Sequence, residues 1–198
     1  MDDPFLAPTD LITDRFHVRP YRAGDGPLLN EAVRHSYEHL RTFMSWAMPD
    51  TTPAESERLV RTFCGRYWLD QDFGMGIFHP AGHRQLGGTG YHLRQGALSN
   101  GSAEIGMWIR ADAAGQGLGT AVLQALLEWG FTAWSWERLI WRCDTRNTAS
   151  AHTAARAGMQ LEGCERRGLL DGSGTRHDCQ VYAALKGEWA APGAPRPA

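Results

Sequence analysis

The sequence has no Cys-x-x-Cys pair, no run of basic residues, no apolar run near membrane-spanning length and no Gly-Lys-Ser/Thr phosphate loop. Each absence excludes something. The four cysteines, Cys64, Cys143, Cys164 and Cys179, are too scattered for a disulfide framework or a zinc ribbon. Eight histidines are present, but none stands at metal-ligand spacing, so no metal is expected. A net charge of −2 without a basic stretch argues against nucleic acid as a partner. The short apolar runs argue against a membrane span. The opening MDDPFLAPTD is acidic and lacks the basic and apolar parts of an export signal. A cytoplasmic protein with reduced thiols is the expectation. Its 198 residues suit one domain with a real core.

What is there centres on residues 103–130. From Ala103 to Arg110 the chain alternates like a strand, with Ala103, Ile105, Met107 and Ile109 on one side and Glu104, Gly106, Trp108 and Arg110 on the other. From Leu118 the spacing turns helical, and Leu118, Val122, Ala125, Leu126 and Trp129 form one apolar face. Between the two lies Gly115-Gln116-Gly117-Leu118-Gly119-Thr120. Glycines let a backbone approach a ligand closely. The first N–H groups of a helix are unpaired, and its dipole favours an anion there. The loop should therefore hold a phosphate or pyrophosphate, with the Thr120 hydroxyl as an added donor. A dinucleotide fingerprint needs G-x-G-x-x-G early in the fold, whereas this loop reads G-x-G-x-G after more than a hundred residues.

The rest of the pattern is α/β. Residues 1–10 read as a loose arm and 190–198 (AAPGAPRPA) as a disordered tail, leaving one domain over 11–189. Strands are expected at Arg15–Arg22, Phe73–Phe78, Gln85–Leu93, Ala103–Arg110, Arg138–Asp144, Met159–Arg166 and His177–Leu185. A helix over Asp25–Phe43 should break near His35. A second starts at Thr51 or Thr52 with Pro53 and Glu55 in its first turn and runs to about Asp70. Its inward residues should be Leu59, Val60, Phe63 and Tyr67. Another runs from the glycine loop to near Trp136. A short one, Asn147–Ala157, stops at Gly158. The result is a mixed sheet with helices on both faces.

The glycine loop, with Ala114-x-x-Gly117-x-Gly119, resembles the coenzyme A pyrophosphate loop of the GNAT N-acetyltransferases. The usual Gln or Arg of that motif is replaced by Ala114. VRP near the start, MSWA around Trp46, AEIGMWI, and Asn147-x-x-Ser150 ahead of Ala157-Gly158-Met159 are similar to the RimJ/RimL branch, the ribosomal-protein N-terminal acetyltransferases and their relatives. The resemblance covers nearly the whole chain. It implies the GNAT fold, with a sheet of about seven strands, and acetyl-CoA as cosubstrate. It leaves the acceptor open among protein N-termini, antibiotics and small amines, and it leaves room for a homodimer.

The resemblance also distributes roles. Main-chain groups near Trp108 and Ile109 would hold the pantetheine arm and polarise the thioester. Residues Gly115, Gln116, Gly117, Leu118, Gly119 and Thr120 would take the pyrophosphate. Asn147 would bond the pantetheine arm, or simply cap its helix. Glu104 matches a strand position where several family members carry a catalytic base. It reads equally well as a solvated or salt-bridged residue. Ser150 resembles the serine proposed to protonate the leaving thiolate, or it bonds its own backbone. The tyrosine that many of these enzymes use falls at Ala154 here. His35, His39 and Trp46 cluster as an acceptor wall, the histidines being alternative bases. They also fit an amphipathic helix. An acyl-cysteine on Cys143 is disfavoured for want of a His–Asp partner pattern. Two rivals stand beside the enzyme: a non-catalytic acyl-CoA-binding sensor or partner-binding module, and a nucleotide-binding protein.

Overall fold

A computed structural model describes residues 5–134 and 136–190. The strands are β1 (Leu11–Ile12), β2 (His17–Pro20), β3 (Phe73–Phe78), β4 (Gln85–His92), β5 (Ser102–Ile109), β6 (Arg138–Asp144), β7 (Gln160–Leu170) and β8 (Arg176–Leu185). The helices are α1 (Gly26–His35), α2 (Tyr37–Leu40), α3 (Pro53–Trp68), α4 (Leu118–Thr132) and α5 (Thr148–Arg156). The strands form one sheet in the order β1-β2-β3-β4-β5-β6-β8-β7. The eight strands agree with the sheet of about seven that was expected; the short extra one arises because Leu11 and Ile12 pair with Val18 and His17. That pairing is too short to show as alternation in the sequence.

Neighbours on each strand point to opposite faces, so the sheet sorts its side chains into two cores. Val18, Met75, Ile77 and Ile105 join Val122, Leu123, Leu126 and Leu127 of α4 and Ala154 of α5 in the larger one. Tyr21 and Phe78 join Leu29 and Val33 of α1, Leu40 of α2 and Val60 of α3 in the smaller, with Trp108 packed against it. Phe73, Tyr91, Trp134 and Trp136 add a knot of rings, with Trp134 edge-on to Phe73 and Tyr91 and stacked with Trp136. Their burial at 0–2% exposure explains part of the high tryptophan content.

The local signals act where they were read. Thr52 Oγ1 accepts from Glu55 N (3.2 Å) and Glu55 Oε2 accepts from Thr52 N (2.8 Å), a capping box at the start of α3. The long N-terminal helix breaks at Ser36, one residue past His35. Other boundaries move: the first long strand shrinks to β2, α4 ends at Thr132, and β7 runs on to Leu170. Leu59, expected inward, is 43% exposed, while Val60 and Tyr67 are fully buried. Residues 5–10, read as part of a loose arm, lie against the core. Phe5 meets Phe73 and Trp134, and Tyr67 donates its hydroxyl to the Pro8 carbonyl. Residues 1–4 of that arm and 191–198 of the expected tail lie outside the described residues.

One irregularity in the sheet creates space. All neighbouring strands run antiparallel except β5 and β6. These two pair only at Ser102–Glu104 with Arg138–Ile140. Beyond Glu104 they part, so the main chain of Gly106–Ile109 has no strand partner on the β6 side.

Candidate active site

The wedge between the parting strands opens into a cleft of about 480 Å³. Met107, Trp108 and Ile109 line it from β5 and Trp141 from β6. Asn147 comes from the cap of α5 and Ser150, Thr153 and Arg156 from the helix itself, and His39, Phe43 and Met44 from α2 and the turn after it. The glycine loop closes one end with Ala114, Gly115, Gly117, Gly119 and Thr120.

The loop presents open backbone at the start of a helix. Gly115 and Gly117 both sit at φ +73°, the left-handed region where a side chain is strained. A Cβ on either would meet no atom within 4 Å, so their surface is open. Gly117 is the N-cap of α4, and no side chain caps that helix. Ala121 N is the first to bond back, to the Gly117 carbonyl at 3.1 Å. The N–H groups of Leu118, Gly119 and Thr120 are left for a ligand. The Leu118 side chain itself is core. Gln116 is turned to the frame instead: its Nε2 donates to Asp112 O (3.0 Å), and its carbonyl accepts from Arg15 (3.1 Å).

Arg110 fixes the loop to the rest of the fold. It is 5% exposed, and its guanidinium pairs with Glu31 of α1 and with Asp112 (2.8 Å). Hydrogen bonding from Arg110 holds the Glu31 carboxyl below its ordinary pKa. Ser36 Oγ accepts from Ala111 N at 3.0 Å, a second tie between α1 and this corner.

On α5, Asn147 Oδ1 accepts from Ser150 N at 3.0 Å. The asparagine is therefore the helix cap, and its Nδ2 is the part left for a ligand. Ser150 Oγ accepts from Trp141 Nε1 at 3.0 Å, which leaves its own proton to donate. The Cys143 thiol is beside it. Burial pushes that thiol up in pKa, against a hydrogen bond from Ser150, so Cys143 is a poor nucleophile. Ala154 is fully buried and adds nothing to the cleft.

The remaining expected site residues divide. His39 lines the cleft. Trp46 does not, but its ring lies 5.9 Å from that of Trp108 and is 48% exposed, a wall at the entrance. His35 faces away, 3.3 Å from Asp112. Glu104 also stands outside the cleft lining. Its Oε1 accepts from Arg94 (2.5 Å), its Oε2 lies 4.0 Å from Arg142 Nε, and its side chain is 8% exposed. Of the two readings of this residue, the salt-bridged one is what the structure contains. Trp141, Thr153 and Arg156 were missed as cleft residues. Thr153 and Arg156 continue, in steps of three, the series that runs from Asn147 to Ser150, which was the available signal; Trp141 had none.

An open, uncapped helix start at one end and unpaired strand main chain along the wall suit an elongated thioester with a diphosphate tail. Among the described residues, no group of three or more His, Cys, Asp or Glu could hold a metal ion. Among the same residues no helix is long and apolar enough to cross a membrane.

Known proteins are similar to this chain in sequence or in fold. YdaF of Bacillus subtilis (strain 168), a candidate ribosomal N-acetyltransferase by name, is 34% identical over 90 residues, 46% of this chain. The match spans about half of that protein's length (49%). Three solved structures share the fold. The microcin C7 self-immunity acetyltransferase MccE, in complex with acetyl-CoA and AMP, superposes with a TM-score of 0.77 at 19% identity, over 87% of this chain and 93% of its own. The ribosomal-protein-S5-alanine acetyltransferase of Vibrio fischeri gives 0.78 at 16%, over 92% and 100%. RimL, the ribosomal L7/L12 α-N-protein acetyltransferase, in complex with coenzyme A, gives 0.77 at 23%, over 88% and 96%. The family model described as an acetyltransferase (GNAT) domain matches residues 15–160. With most of the chain inside that match and the loop, wedge and helix of the fold in place, the protein belongs to the GNAT acetyltransferase family.

Proposed function

We propose that the protein is an acetyl-CoA-dependent N-acetyltransferase that acetylates a primary amine by direct attack in a ternary complex. The observation that carries the reading is the parting of β5 and β6 above an uncapped, glycine-lined helix start. Residues 115–120 would take the pyrophosphate on backbone N–H groups. The unpaired main chain at Trp108 and Ile109 would bond the pantetheine arm and polarise the thioester carbonyl. The Asn147 amide would bond the same arm. The amine nitrogen attacks the carbonyl carbon, the C–S bond breaks, and the thiolate takes a proton, with Ser150 placed to donate a hydrogen bond to it. The acceptor would enter past His39, Trp46 and Trp108, where aromatic surface favours the flank of a peptide or a small amine. The relatives' names point to a protein N-terminus as the first class to try.

The reading includes a cytoplasmic enzyme, in keeping with its four free thiols, and a homodimer as the form to look for by sedimentation. The alternative, a non-catalytic acyl-CoA-binding module, draws support from Ala114 and from Ala154 in the place of the acid. Thiol release from acetyl-CoA separates the two, measured against N-terminal peptides and small amines, with products identified by mass. Binding of acetyl-CoA with no acylated product from any amine would favour the module.

A further inference from the structure

The acceptor ammonium must lose a proton before it can attack, and Glu104 is occupied by two guanidinium groups. A different group faces the same side of β5. His92 ends β4 opposite Glu104 in the strand register. Its Nδ1 lies 2.8 Å from Asp72 Oδ1, a residue in the turn that leads from α3 into β3. An ionised carboxylate there requires the proton on Nδ1 and leaves Nε2 as a lone-pair acceptor. The ring then reaches across the strand boundary. A Cβ built on Gly106 would stand 2.9 Å from His92 Nε2 and 3.0 Å from its Cδ2. The imidazole thus occupies the space that a side chain at 106 would fill. Gly106 shares its face of β5 with Trp108, two residues on, and Trp108 lines the cleft; His92, like Glu104, stands just outside that lining, on the Trp108 side.

The charges around the ring single it out. Glu104 is matched by Arg94 and Arg142, and Arg142 is further matched by Glu165. Those four groups cancel. From β3 the facing residues are Gly74 and Gly76, which carry no charge. Asp72 has His92 as its polar partner. Both side chains are about one-fifth exposed, reachable yet held.

We propose that His92, oriented by Asp72, is the general base that deprotonates the acceptor amine, and that Gly106 is glycine to admit its ring. This rests on the N-acetyltransferase reading. In the step, a proton passes from the acceptor ammonium to His92 Nε2, directly or through one water. The freed lone pair forms the N–C bond at the thioester carbonyl, and the C–S bond breaks. Asp72 is a positioning residue: it fixes the tautomer and stabilises the imidazolium that forms.

The test is the pH dependence of kcat/KM, with acetyl-CoA affinity measured alongside as a check on folding. His92→Gln should lower kcat/KM about 10²–10⁴-fold, flatten the acid limb, and keep acetyl-CoA affinity. Asp72→Asn should lower it less, and Asp72→Glu should restore part of the rate, a rescue that lost packing alone would not produce. Gly106→Ala, which forces the ring out, should mimic His92→Gln without touching either charge. His92→Ala should regain activity with added imidazole. If the wild-type protein acetylates no amine, the enzymatic reading falls and takes this inference with it. If the wild type is active and His92→Gln keeps both its rate and its acid limb, the inference alone is wrong. Loss of the limb in Glu104→Gln but not in His92→Gln would also overturn it and give the base to Glu104.

Discussion

Ser150→Ala separates a structural from a chemical role at one atom. In the native protein Ser150 Oγ accepts the indole N–H of Trp141, a residue 5% exposed. Removing the hydroxyl leaves that N–H without its partner, which costs about 1–3 kcal/mol. For a chain of this size each kcal/mol lowers Tm by roughly 2–4 °C, so a fall of about 2–12 °C is expected. Independently, the hydroxyl's own proton can turn from Cys143 to bond the developing thiolate. A hydrogen bond formed mainly in the transition state lowers kcat and leaves ground-state binding alone. The same 1–3 kcal/mol becomes about fivefold to 150-fold in rate. Trp141→Phe isolates the first effect, because it removes the indole donor and keeps the serine. The assays are thermal denaturation, kcat with product release shown not to limit, and the acetyl-CoA Kd. The expected result is lowered Tm in both variants, with kcat depressed in Ser150→Ala well beyond its value in Trp141→Phe. If Ser150→Ala keeps kcat, or loses affinity instead, Ser150 is a packing or binding residue and the thiolate is protonated by solvent.

Gly117→Val should abolish acetyl-CoA binding in a titration while the domain stays folded, because φ +73° is strained for any side chain and a branched one projects over the helix start; unchanged affinity would move the phosphate elsewhere. Asn147→Ala should weaken cofactor binding and also cost about 0.5–2 kcal/mol of stability, since Oδ1 caps α5; loss of stability with full affinity would make it a cap and nothing more. Arg110 depresses the Glu31 pKa, so the stabilisation it reflects is complete above the unfolded carboxyl's value of about 4.3 and is lost as pH falls through the lower folded value. Tm should therefore drop more steeply in wild type than in Glu31→Gln as the pH is taken from 5 toward 2 (roughly the carboxylate range), and parallel curves would show that the pair contributes nothing.

The features readable from sequence are those whose causes lie within a few residues. Thr52, Pro53 and Glu55 start α3 because a hydroxyl and a carboxylate three residues apart satisfy each other's backbone donors. Gly115 and Gly117 mark the turn into α4 because a left-handed backbone favours residues without a Cβ. Asn147 caps α5 for an equally local reason, and the strand-to-helix change of period around the loop carries the central unit of the fold. Tertiary structure decided the rest. Whether Glu104 is a free base or a paired anion depends on Arg94 and Arg142, brought in from the end of β4 and from β6. The cleft exists because β5 and β6 stop pairing after Glu104, a property of two strands over thirty residues apart. His92 and Asp72 lie twenty residues apart, yet their side chains meet over a third strand at a residue chosen for having no side chain. Alternation along a strand says which face a residue takes, but only the pairing of strands says which residues share that face as neighbours, and pairing is set by the packing of the whole sheet.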